Sequence, residues 1–105
     1  MSKTIGESIA TEVSTPTKYL GGEVLTPNGS SATCTLPTGT NAVILAANGQ
    51  DIYYAINASG DAAATSPGFV KDGTHWMVGP LTNLTSLKVF AASGSGKCHL
   101  EYYQG

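Results

Sequence analysis

Arginine is absent from this sequence, and the five lysines that carry all its permanent basic charge (Lys3, Lys18, Lys71, Lys88 and Lys97) form no run. Seven acidic residues bring the net charge to -2. A chain with no basic stripe cannot draw on the counterion release that drives phosphate-backbone binding, so no nucleic-acid partner is expected. Charge of either sign is scarce at 11%, against about 25% in an ordinary globular domain, while hydrophobic residues stand at 41%. A core can therefore form, and Ser, Thr and Gly must cover much of the outside. Long apolar runs are also missing: nothing approaches the roughly 18 to 20 residues of a membrane span, and no apolar stretch follows Lys3 as in a secretory leader. The expectation is synthesis and folding in a cytoplasm with no membrane partner. A length of 105 residues fits one domain.

Cysteine is rare too. Cys34 and Cys98 are too few and too far apart for a disulfide framework. They read as buried free thiols behaving as small apolar groups, with pairing after release into an oxidising medium as the alternative. Cys98-His99 suggests a nucleophile and base, yet neighbours in a strand point to opposite faces, which argues against a dyad. Cys34, Cys98, His75 and His99 are zinc-ligand types without the close-paired spacing of readable zinc sites. Asp51, Asp61, Asp72 and Glu101 fall near turns or on a polar face, where solvated acids normally lie. Gly94-Ser95-Gly96-Lys97 lacks the spacing and the following helix of a phosphate loop, and reads as a hairpin turn. Asn28, Asn57 and Asn83 open Asn-x-Ser/Thr triplets, which a chain this rich in Ser and Thr produces by chance. No catalytic residue, metal site or cofactor is expected, and an enzyme is the least supported class.

What is present is a succession of short β-type runs. Residues 1–22 are polar, Thr/Ser-rich and weakly patterned, ending in Gly21-Gly22. They read as an extended or flexible N-terminal arm. Ile5, Ile9 and Val13 recur every fourth residue and Thr4 with Glu7 has capping-box spacing, so a short helix is conceivable, although Gly6 and the β-branched residues oppose its standing alone. The arm is either a disordered terminus or a segment ordered along a neighbouring subunit. From residue 23 to 105 the pattern predicts one β-sandwich or jelly-roll-like antiparallel domain of seven or eight strands. These fall near 23–26, 31–36, 41–47, 51–57, 68–71, 74–79, 85–92 and 97–103. Asn48-Gly49 between two apolar runs is the strongest hairpin signal in the chain.

Alternation assigns faces. Ile52, Tyr54 and Ile56 share one side of their run, leaving Tyr53 on the other as the more exposed ring. Lys88 turns Phe90 toward solvent or a subunit contact, and Cys98, Leu100 and Tyr102 point inward while Lys97, His99, Glu101 and Tyr103 point outward. Trp76 is a candidate for core, interface or ligand contact, and residues 57–68 read as a projecting loop that is either a flexible tip or an interaction surface. The candidate interface set is Ile5, Ile9, Val13, Tyr19, Tyr53, Trp76, Phe90 and Tyr103.

The stretches IYYAIN (52–57), SPGFV (66–70) and LTNLTSLKVFAASGSGKCHLEYY (81–103) resemble small β-rich virion structural proteins of tailed bacteriophages, the head-decoration or cement proteins and related accessory proteins. The likeness covers roughly the C-terminal half and is one of texture: short strands, small-residue turns and an aromatic C-terminus. It implies an oligomeric unit, a dimer or trimer, on the capsid surface of a virion, reinforcing contacts between subunits of the major capsid protein. The alternatives are a carbohydrate- or receptor-binding module of a tail fibre or spike, and a neck or tail accessory protein.

Overall fold

In a computed structural model, residues 18–92 and 96–105 are described. Their regular elements are eight strands: β1 (Lys18–Leu25), β2 (Ser31–Thr33), β3 (Ala42–Asn48), β4 (Ile52–Ile56), β5 (Gly68–Val70), β6 (His75–Val78), β7 (Leu87–Phe90) and β8 (Lys97–Gln104). Two antiparallel sheets result, with strand orders β1-β8-β3-β6 and β2-β7-β4-β5. First pairs with last, second with seventh, third with sixth and fourth with fifth. A chain folded back on itself as one long hairpin and then rolled into two layers gives this order, which is that of a jelly roll. The expected all-β sandwich is therefore present.

Three expectations change. The expected boundary of the arm at residue 22 falls inside β1, because Lys18 to Gly22 pair with Gln104 to Glu101 of β8, with a bulge between Tyr19 and Gly21. Residues 1–17, with Ile5, Ile9 and Val13, lie outside the described residues. The Asn48-Gly49 turn does not close a hairpin, since β3 and β4 belong to different sheets. The local chemistry is used as expected, with Gly49 at φ 96, but it serves a crossing between layers. Gly49 N–H donates to Asp72 Oδ1 at 2.7 Å and Asp72 N–H to Asp51 Oδ1 at 2.8 Å, which ties this corner to the β5–β6 turn. A turn dipeptide reverses the chain without deciding whether the flanking strands pair or splay. The hairpin expected around Gly94-Ser95-Gly96 fails for the same reason, as β7 and β8 lie in opposite sheets. Only β4 and β5 are paired neighbours in sequence.

The core follows the alternation. Val43, Leu45 and Ala47 of β3 and Cys98, Leu100 and Tyr102 of β8 meet Ile52 of β4, Val70 of β5 and Leu87 and Val89 of β7, all buried. One carboxylate enters this layer: Glu23, opposite Leu100, accepts hydrogen bonds from the Tyr102 hydroxyl and, at 2.7 Å, from Thr35 N–H. It thereby pins β1 and β8 to the segment that follows β2. Burial, and then the bond to Glu23, hold the Tyr102 hydroxyl well above the usual phenol range.

Candidate functional site

The outer face of the β2-β7-β4-β5 sheet carries a row of aromatic rings. Tyr53 of β4 stands opposite Phe90 of β7 on one side and Phe69 of β5 on the other. Ring centroids are 5.3 Å apart for Tyr53–Phe69 and 6.4 Å for Tyr53–Phe90, both tilted. Such cross-strand pairs stabilise the sheet while leaving their outward surfaces in water. Phe69 is 49% exposed, and Tyr53 and Phe90 are half-buried.

The next row on that face is covered. Ala55 pairs with Lys88 and is buried although it points outward, because the β4–β5 loop folds back over it. Lys88 Nζ donates to Gly60 O at 2.9 Å, Ala62 N–H donates to Ser31 Oγ on β2 at 2.9 Å, and Ala62 itself is buried. The root of the loop is fixed by Asn57, whose φ of 54 lies in the left-handed region that Asn tolerates. Its side-chain oxygen accepts from Thr85 N–H, Thr85 Oγ1 and Ser86 N–H, and its Nδ2 donates to Asn83 O. The expected projecting tip is thus in large part a cover packed on the sheet, and it forms a polar rim beside the aromatic row.

The outer face of the other sheet has different character. Tyr19 and Tyr103, paired across β1 and β8, meet edge-to-face at 5.5 Å. Beside them a shallow groove of about 370 Å³ crosses β1, β8 and β3, with Val24 of β1 on one side, Ile44 and Ala46 of β3 on the other, and His99 and Glu101 of β8 in register between them. Gly22 keeps the groove open: a Cβ there would collide with the Leu100 carbonyl and crowd the Tyr19 hydroxyl. Tyr19 is 57% and Val24 52% exposed.

Trp76 lies on neither outer face. It stands opposite Leu45, on the inner side of edge strand β6, yet is 57% exposed because the sandwich is open at that flank. Tyr54 belongs to the opposite layer, and burial pushes its hydroxyl up, against a smaller opposing effect from Trp76. The Tyr54 ring lies on Gly68, where a side chain would overlap it.

Of the expected interface residues, the structure brings together Tyr19 with Tyr103 and Tyr53 with Phe90, on opposite faces, and leaves Trp76 apart from both. Phe69 was not among them, since a three-residue strand offers too little alternation to place its ring. Val24 and Met77, both exposed, also carried no sequence signal beyond ordinary strand residues. Cys34 and Cys98 are both free and buried, and burial pushes each thiol up to about 12. Cys98 and His99 point to opposite sides of β8, the first buried and the second exposed. Among the described residues no three His, Cys, Asp or Glu side chains converge as metal ligands, and no helix is long and apolar enough to cross a membrane. Comparison with protein-family models, with curated proteins and with solved structures finds no match.

Proposed function

We propose that this chain is a non-enzymatic structural module that docks onto a protein surface through the Tyr53–Phe69–Phe90 row. In this reading it is a head-decoration protein of a tailed-phage virion, seated on the major capsid protein. The observation that carries the docking surface is the exposed aromatic row itself, rimmed by a loop that the sheet holds in place. An apolar centre bordered by polar groups is the anatomy of a protein interface, and aromatic residues are enriched among its energetic anchors. The rigid backing matters because a preorganised surface loses little entropy on binding. A capsid lattice multiplies such contacts, so each need only be modest. The phage assignment rests on the resemblance of residues 52–57, 66–70 and 81–103 and on the jelly-roll order of the strands.

Quantitative mass spectrometry of purified virions of the encoding phage tests the reading. A ratio to the major capsid protein near one, or a simple lattice fraction, is the expected result. A handful of copies per particle would move the chain to the neck, tail or fibre, and absence from the particle would overturn the virion role.

A further inference from the structure

Four strands lie at sheet edges, and β6 differs from the other three. β1 carries a bulge and the charges of Lys18 and Glu23, while β2 and β5 have only three residues each. Such features keep an edge from pairing with another chain. β6 contains no lysine, acid or proline, and it pairs with β3 without a shift in register. Its first three side chains are exposed, Trp76 at 57% and Met77 at 45%. Large apolar groups beside an open edge mark a contact site.

The direction of the backbone groups on β6 follows from its ladder. Ala47 N–H donates to Thr74 O and Gly73 N–H donates to Ala47 O, both at 3.0 Å, so Ala47 turns its groups toward this side. Alternation extends that direction to Leu45 and Val43, whose partners Trp76 and Val78 point back at them. The N–H and C=O groups of His75 and Met77 therefore point away from β3, and among the described residues no strand lies there. This edge is complementary to itself. A second copy of β6, antiparallel about a two-fold axis, satisfies both outward residues in one register within the strand: His75 faces Met77 of the other copy, and Trp76 faces its own counterpart. We infer that the chain forms a homodimer edge to edge through β6, with one eight-stranded sheet running across both copies. The indoles meet at its centre, in a pair without mutual backbone hydrogen bonds, where Cα atoms stand about 4.5 Å apart and the rings cover each other. β6 belongs to the other sheet from the Tyr53–Phe69–Phe90 row, and the inference stands independently of the docking proposed for that row.

The test uses the full chain in solution, without capsids. Sedimentation velocity and the emission of Trp76, the one tryptophan of the sequence, are followed from about 1 μM to about 1 mM. The particle should pass from one chain to two as concentration rises, with emission moving to shorter wavelength in step. Met77→Pro removes an edge N–H that β3 does not use, and Trp76→Ala removes the central contact; each should weaken association by about tenfold or more. Phe69→Asp should leave it unchanged. Disulfide capture with oxidised glutathione reads the register, because positions 75 and 77 of the two copies stand about 5.5 Å apart, within bridging range, and like positions about 7–8 Å apart. A mixture of His75→Cys and Met77→Cys chains should therefore give more covalent dimer than either variant alone. A one-chain mass at every concentration would overturn the inference. So would a dimer that survives Met77→Pro, or a mixture that cross-links no better than the single variants.

Discussion

The two outer faces of this sandwich are built from the same kind of strand and end up with opposite designs. On the β2-β7-β4-β5 face three rings lie side by side and the neighbouring row is roofed by the chain's own β4–β5 loop. On the β1-β8-β3 face two tyrosines sit at one end of an open groove in which Val24, Ile44 and Ala46 flank a central row of His99 and Glu101. The first presents large rigid groups that project, and the second a recess where aliphatic groups flank an imidazole and a carboxylate. A projecting aromatic row suits insertion into a partner, whereas a recess suits reception of a segment. The difference comes from single positions: Phe69 supplies the ring farthest out on one face, and Gly22 removes a side chain from the other.

Both faces depend on the core between them, and its titration gives the largest expected effect. Cys34 and Cys98 hold their protons to about 12 when folded, against 9.0 for an unperturbed thiol. Above pH 9 the unfolded chain has released protons that the folded one retains, so the thiols' contribution is complete below pH 9 and is lost as pH rises toward 12. Urea midpoints between pH 8 and 11 should show no thiol contribution to the slope up to pH 9 and, above it, stability falling by on the order of 1 kcal/mol per pH unit for each thiol. Cys34→Ala with Cys98→Ala should flatten the slope without abolishing it, since the Tyr102 hydroxyl is raised too and titrates in the same sense. A flat profile in the unaltered chain would refute the buried-thiol reading.

Asn57 separates the faces next. Replacing it with Ala removes four hydrogen bonds at the root of the loop and places a β-carbon residue at positive φ without Asn's tolerance, a loss of about 2 kcal/mol in thermal or urea unfolding. Hydrogen exchange should quicken around Ala55 and Ala62 while the amides of the groove face stay protected. Quickening on both faces alike would show that the loop serves the whole fold and not one side of it. Lys88→Met is the mildest change, releasing the contact with Gly60 at a cost under about 1 kcal/mol. Exchange at Gly60 to Ala62 should rise with little change in melting temperature.

Much of this architecture can be read from residue order, and the failures have specific causes. Seven of the eight strands lie where turn residues punctuate the sequence, β1 alone running through Gly21-Gly22 into the expected arm, and in β8 simple alternation places Cys98, Leu100 and Tyr102 inside and His99 and Glu101 outside. Layer membership is not readable in this way. Asn48-Gly49 carries the chemistry of a hairpin, but its flanking strands pair with β6, β8, β5 and β7, partners set by the rolling of the whole chain. Ala55 is buried on an outward face because a loop that begins two residues later returns over it, a contact no local pattern encodes. Trp76 points to the inner side as alternation allows, and is exposed because β6 is an edge strand at an open flank. Tyr53 and Phe90 could be recognised as outward rings, while Phe69, in a strand of three residues, could be found only once β5 was set beside β4.

On the proposed capsid-docking role, the most direct test of the division between the faces is co-sedimentation with phage capsids stripped of this chain, using the unaltered protein, Phe69→Asp and Val24→Asp at matched concentrations. Removing an interface anchor and burying a charge in its place should weaken binding by about 3 kcal/mol, or roughly a hundredfold, for Phe69→Asp. Val24→Asp should bind as the unaltered chain does. Undiminished binding by Phe69→Asp together with loss in Val24→Asp would contradict the account and assign docking to the grooved face instead.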